Sequence, residues 1–322
     1  MALVIKVVLL LIFAAVAGLI VFSVLFFLRP IATMVWFRRN ALRRAGLRKT
    51  KLTTTAGTQI VWHGGSGPLL VLLHGAGDQA GTWNRIAAEL MRRFQLVIPD
   101  LAGHGGSDPT EGALSLGTLL TALEQILDAT RWRDTPMVLA GNSLGAWMAM
   151  LYAQKYPHRV KRVILIDGGP IKNASEIGLM PKDREQARLA MDAVLDPSTP
   201  HPANFVLDDL VRLSNTGPIS RLLAAGIEDM SKYLLEDKLG RFQLPVDLVW
   251  GVSDRLVPLD YAKRLQSQLP HCTLTLIDHC GHAPQFERPR ELTQVVLRIL
   301  TADSSRAPAT AYSSSGQSGG NR

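Results

Sequence analysis

The chain has 322 residues, 47% of them hydrophobic and 19% charged, with a formal net charge of +8. The apolar share excludes a disordered or collagen-like chain, two cysteines are too few for a disulfide scaffold, and the length suits one large domain or two small ones. The positive charge sits at one end: residues 1–77 carry nine Lys or Arg and no Asp or Glu, leaving 26 basic and 27 acidic residues in the remaining 245. The bulk of the chain is therefore near neutral, which removes the main support for a nucleic-acid-binding function.

The first element is an uncharged run from Val7 to Leu28, interrupted only by Gly18 and Ser23. As a helix it is about 33 Å long, enough to cross a bilayer core. Ala15-Val16-Ala17 has the pattern of a signal-peptide cleavage site, but cleavage there leaves apolar Gly18–Leu28 on the mature protein. The apolar stretch of a signal peptide is only about 7–15 residues, so residues 1–28 read as an uncleaved single-pass anchor. Eight basic residues follow between Arg29 and Lys51, and the positive-inside bias places the C-terminal domain on the cytoplasmic side. Within this basic juxtamembrane segment, 29–51, Trp36 and Phe37 stand among arginines. Residues 30–48 read either as a helix lying on an anionic membrane surface or as a solvated linker.

Strands and helices then alternate. Gln59–His63 and Leu69–Leu73 read as strands, Trp83–Arg92 as a helix, Gln95–Pro99 as a strand and Leu116–Ala129 as a helix. Met137–Ala140 is an apolar strand and Val160–Ile166 a further strand, on either side of a helix, Leu144–Tyr156. Continuous apolar strands alternating with helices predict a mainly parallel sheet covered on both faces. Residues 171–243 break the alternation with helices only, at Lys182–Leu195, Ala203–Leu213 and Ile219–Met230. Alternation resumes with Val246–Trp250, Asp260–Leu269, Thr273–Asp278 and Arg290–Leu300, followed by a Ser/Gly/Ala-rich tail expected to be disordered. Cys272 and Cys280 flank a strand that separates them by about 25 Å, too far for a disulfide. No Cys/His cluster suggests a metal.

Gly141-Asn142-Ser143-Leu144-Gly145 lies between a predicted strand and a predicted helix. G-x-S-x-G alone is a weak signal, but a tight strand-to-helix turn lifts the serine hydroxyl above a sheet, and the flanking glycines give the turn room. The Leu144 N–H then opens a helix, where amide dipoles favour negative charge; an ordinary helix-capping serine is the bland alternative. His74-Gly75-Ala76-Gly77 follows a buried strand, and the Ala76 N–H is placed to be a second oxyanion donor beside that of Leu144. Asp254 and His282 each follow a strand, at the sheet edge where open α/β folds build their sites. The order Ser, Asp, His is that of one of the three convergent serine triads. Asp167 also ends a strand and is the competitor to Asp254. Asp100 and His104 read as loop-packing residues, and His279 lacks the Gly-His setting.

These residues, with Asp100-Leu101-Ala102-Gly103-His104-Gly105-Gly106-Ser107-Asp108, resemble the α/β-hydrolase-fold family over about residues 52–301. The resemblance implies a core at 52–170 and 244–301, an all-helical cap at 171–243 and a tail at 302–322. It also implies Ser143 as nucleophile, His282 as general base and acid, and Asp254 as the orienting acid, with no cofactor or metal. A serine at the elbow argues against epoxide hydrolases and haloalkane dehalogenases, which carry Asp there. The expected activity is carboxylic-ester hydrolysis on small-molecule or lipid-derived esters such as monoacylglycerols, with Met180, Met191, Phe205 and Met230 as candidates for an acyl pocket. Two alternatives stay open: a C–C bond hydrolase of ring-fission products, whose elbow is similar, and a non-catalytic binding module of the same fold.

Overall fold

The computed structural model describes residues 1–129, 131–173 and 178–302. The expected disordered tail lies outside the described residues from Asp303 onward.

Helix α1 (Ala2–Leu28) is apolar on every side, and its stretch Leu3–Leu28 has a mean hydropathy of 3.1 and none of it is buried in the protein. It is long and apolar enough to cross a membrane. The chain breaks at Arg29, and Pro30 starts α2 (Pro30–Arg44) at the one helical position where a missing N–H costs nothing. α2 is not a solvated linker: one side of it is docked on the globular domain. Leu42 is fully buried, the Ile31 N–H donates to Asp209 Oδ2 at 3.0 Å, and Arg39 donates to Asp100 Oδ2 at 2.9 Å and Gln79 Oε1 at 3.2 Å. Trp36 and Phe37 stay exposed.

Strand β1 (Arg48–Thr54) pairs antiparallel with β2 (Gly57–Gly64), so the sheet begins at Arg48 and not at residue 52. β1 escapes hydrophobic patterning because it is an edge strand whose Arg48, Lys49 and Lys51 are exposed; charges on an edge discourage pairing with other chains. There follow β3 (Leu69–Leu73), α3 (Asn84–Leu90), β4 (Gln95–Pro99), α4 (Leu116–Leu127), β5 (Met137–Asn142), α5 (Leu144–Lys155) and β6 (Val160–Ile166). Helices α6 (Arg184–Val194), α7 (Asn204–Ser214), α8 (Pro218–Ala224) and α9 (Ile227–Ser231) precede β7 (Val246–Gly251), α10 (Leu259–Gln268), β8 (Cys272–Ile277), α11 (Pro284–Glu287) and α12 (Pro289–Ala302). The predicted helix Ile219–Met230 is thus two, because Gly226 at φ +89° takes a left-handed conformation that stops α8. Helix α12 includes Ala302, which the sequence assigns to the tail.

The eight strands form one sheet in the order β1-β2-β4-β3-β5-β6-β7-β8, antiparallel in the first two pairings and parallel in the rest. β3 shows why its apolar run is continuous. Leu69, Val71 and Leu73 join a core with α4, α5 and α10, while Leu70 and Leu72 join a second core with α3, α12 and Leu42 of α2. Alternate side chains point to opposite faces, and both faces are buried. The basic segment therefore supplies a helix to one layer of the fold.

The Arg39–Asp100 pair should matter to stability, since Asp100 has no solvent exposure and losing its partner leaves a buried charge. Arg39→Ala is expected to lower urea-unfolding stability by about 2–4 kcal/mol, whereas truncating exposed Arg44 leaves the midpoint unchanged.

Candidate active site

The C-terminal ends of β5, β6 and β7 converge on Ser143. Its φ of +54° lies in the left-handed region that non-glycine residues rarely occupy, and the turn is held by close packing. A Cβ at Gly141 would lie 2.2 Å from the Gly145 backbone, and one at Gly145 would lie 2.2 Å from Leu73 O. A Cβ at Gly168 would lie 2.5 Å from Ser143 Cα. Only glycine fits at these three positions, and together they fix where the serine stands. The Ser143 N–H donates to Ile166 O at 2.9 Å, tying the turn to β6.

Asp254 and His282 are brought into direct contact, with His282 Nδ1 2.8 Å from Asp254 Oδ2. Asp254 Oδ1 accepts from the N–H groups of Leu256 and Val257, both at 2.9 Å, which aims its other oxygen at the imidazole. Both side chains are buried, His282 being 7% exposed. Ser143 makes no side-chain hydrogen bond among the described residues; its neighbour Asn142 ties the turn to the histidine loop. Asn142 Nδ2 donates to His282 O at 3.0 Å and to Ile166 O at 3.2 Å, and Gln285 Nε2 donates to Asn142 Oδ1 at 3.0 Å. The Ala76 loop also flanks the serine, since a Cβ at Gly75 would lie 3.3 Å from Ser143 Cβ. The N–H groups of Ala76 and Leu144 take no partner among the described residues, which leaves both able to receive an anionic oxygen.

Asp167 sits at the end of β6 in a left-handed conformation, with Oδ1 accepting from the Gly251 N–H at 2.8 Å. Complete burial, and next the charge of Asp254, raise its pKa well above the usual carboxylate range. It faces Asp254 and not His282, so the histidine contact belongs to Asp254. Among the described residues no cluster of His, Cys, Asp and Glu side chains is disposed to hold a metal ion.

Several positioning residues escape sequence reasoning because they act through tertiary contacts. The last turn of α6 reaches both loops: Ala193 O accepts from the Arg255 and Leu256 N–H groups, and Val194 O accepts from that of His282 at 2.7 Å. Glu287 accepts from the N–H groups of Gly281 and Asp196. The signals available were Gly281, whose Cβ would lie 2.2 Å from Val194 O, and a carboxylate shortly after the histidine. His74 and His104 are loop-packing residues. His74 Nε2 accepts from the Leu101 N–H at 2.9 Å, and burial pushes His104 down to about 3, keeping it neutral. Asp100 accepts from the Ala80 and Gly106 N–H groups as well as from Arg39. Of the four acyl-pocket candidates, Phe205 is committed elsewhere, with its ring 5.6 Å from that of Phe26 and 5.1 Å from that of Phe27 in α1. Met180 is 37% exposed.

The Alpha/beta hydrolase family model matches residues 70–295. The crystal structure of a membrane phospholipase A is similar over 94% of this chain and 98% of its own, with a TM-score of 0.74 and 27% identity. Monoacylglycerol lipase ABHD6 of Homo sapiens is 23% identical over 258 residues, covering 74% of this chain and 77% of that protein. A 2-hydroxy-6-oxononadienedioate/2-hydroxy-6-oxononatrienedioate hydrolase of Cupriavidus pinatubonensis is 26% identical over 292 residues, covering 81% and 98% respectively.

The raised pKa of Asp167 has a consequence for stability. The native state holds this proton more tightly than the unfolded chain does, so its contribution is fully present below the unfolded pKa near 3.8 and is lost as pH rises through the native value. Asp167→Asn, which mimics the protonated acid, should flatten the decline in urea-unfolding stability above pH 4 while leaving stability near pH 4 within about 1 kcal/mol of wild type.

Proposed function

The chain belongs to the alpha/beta hydrolase family, and on that premise we propose that it is a membrane-anchored serine hydrolase of carboxylic esters. The observation that carries the reading is the 2.8 Å contact of His282 Nδ1 with Asp254 Oδ2 behind the strained turn at Ser143. With Nδ1–H held by the carboxylate, His282 presents Nε2 as a base. Nε2 takes the Ser143 proton as Oγ attacks the ester carbonyl, and Asp254 stabilises the imidazolium that results. The carbonyl oxygen becomes an anion held by the N–H groups of Ala76 and Leu144, each worth roughly 3 kcal/mol of barrier. His282 then protonates the departing alcohol, and a water activated by the same nitrogen releases the acid and restores Ser143.

The substrate side rests on α1 and on the helical cap, α6–α9. Phe205 of α7 packs on Phe26 and Phe27 at the end of α1, so an α1 set in a bilayer holds the cap at the lipid surface. Lipid-derived esters are the substrates this placement favours, and the similarity to a membrane phospholipase A and a monoacylglycerol lipase supports the same class. The basic flank orients the anchor with the catalytic domain in the cytoplasm. One observation favours a second reading. The C–C hydrolase relative matches 98% of its own length, and hydrolysis of a ring-fission product needs the same serine and histidine. The apolar helix is what ranks that reading second.

Ser143→Ala is expected to abolish hydrolysis of p-nitrophenyl esters from acetyl to palmitoyl. Asp254→Asn should lower kcat by about 10⁴-fold, by holding the imidazole in the wrong tautomer. A wild type inert to all these esters and to fluorophosphonate probes, yet active on a ring-fission dienoate, would establish the second reading. Protease added to sealed inside-out membrane vesicles should degrade the catalytic domain, while right-side-out vesicles should protect it; the reverse pattern would invert the orientation.

A further inference from the structure

A cavity of about 400 Å³ lies where α1, α2, α7 and the segment after His282 meet. Ser143 is not among its lining residues, so it is distinct from the candidate active site. Phe26, Met34, Phe37 and Val206 make it largely apolar, and its wall includes Arg38 and Arg85 but no carboxylate. Both guanidinium groups approach one ring: their carbons lie 5.6 Å and 5.2 Å from the centroid of Phe286. Two like charges within about 11 Å of each other give this region a shared positive potential unless something neutralises it. The neighbours at hand do little of this. Asp78 stands 3.8 Å from Arg38, at the outer limit of an ion pair, and Arg85 donates to a neutral acceptor, Phe286 O, at 2.9 Å.

We propose that this cavity binds a bilayer phospholipid with an anionic headgroup, its phosphate between Arg38 and Arg85 and one acyl chain along Phe26, Met34 and Phe37. Guanidinium forks match phosphate oxygens in geometry as well as charge. The volume is that of an ordinary small-ligand site. Its position also fits, because Phe26 is two residues from the end of the apolar helix, the depth at which headgroups sit. The back wall is Gln285, which hydrogen-bonds Asn142 beside Ser143, so the lipid would rest against the bridge that joins the serine turn to the histidine loop. The proposal depends on α1 lying in a bilayer, but not on the identity of the ester substrate.

The test uses the full chain reconstituted into vesicles of equal parts phosphatidylcholine and phosphatidylglycerol. It is then released into mild detergent, and the retained lipid is identified by native mass spectrometry. Wild type should keep phosphatidylglycerol over phosphatidylcholine by about tenfold. The double variant Arg38→Gln/Arg85→Gln should lose that preference. Val206→Trp, which fills the acyl path without changing charge, should lose bound lipid too and covers the case in which the arginine variant fails to fold. Lys49→Gln/Lys51→Gln, on an exposed strand outside the cavity, should bind as wild type does. A preference that survives both cavity variants, or disappears equally with the lysine pair, would overturn the site in favour of general basic attraction. Displacement of the lipid by soluble glycerol phosphate would overturn it in favour of a headgroup-only phosphate site. Flotation separates the premise from the proposal: a chain that does not float with vesicles refutes the bilayer placement, whereas one that floats but retains no phosphatidylglycerol refutes the cavity alone.

Discussion

Backbone contact without side chains, at Gly141, Gly145 and Gly168, is the constraint on which this molecule turns. At each position a single added carbon would lie 2.2–2.5 Å from main-chain atoms. That closeness lets β5 end directly against the start of α5 and forces Ser143 into a left-handed conformation. Strain at one residue costs on the order of 1–3 kcal/mol, which the two buried cores on either face of the sheet absorb. The neighbouring Asn142 then converts the turn into a junction, since its amide is bonded to β6, to the backbone of His282 and to Gln285.

The acid and the histidine depend on a different element. Both loops donate backbone hydrogen bonds to the last carbonyls of α6, groups that a helix end always leaves in need of donors. Helix α8 is fastened separately, through Arg221, whose guanidinium donates to the carbonyls of Gly103, Pro109, Glu111 and Gly112. The helical insertion is therefore built into the site's support at one end and locked to the core loops at the other.

The strands β3 and β4 stand where their apolar runs place them, because a strand buried on both faces is written as a run of Val, Ile and Leu between turn residues, and β6 keeps that run from Val163 to Ile166, after exposed Lys161. β1 did not, since an edge strand needs no apolar pattern, and charges suit it better. That residues 30–48 form a helix was one of two expectations, but what Leu42 faces was not legible: it packs into the protein core. The residues of the candidate site follow from a local motif and its spacing, whereas the contacts that hold them, Asn142 to His282 and Asp167 beside Asp254, cross 140 and 87 positions of sequence and leave no local trace. Phe205 illustrates the same limit. A phenylalanine in the helical insertion is equally at home lining a pocket or meeting another helix, and here it meets α1.

Between α2 and β1 the chain has only Ala45, Gly46 and Leu47, and Leu47 is itself buried. Helix α1 therefore joins the sheet with no tether, and α2 fixes the angle between them. With α1 set in a bilayer as proposed, such an enzyme would not sweep a volume around its anchorage; it would search a plane. Under the proposed function, substrate supply would be set by lateral diffusion and by mole fraction in the leaflet, so adding inert lipid would dilute the substrate even at constant bulk concentration. Under the same proposal, esters that leave the membrane would pass out of reach, and residence in the leaflet would become part of the selectivity.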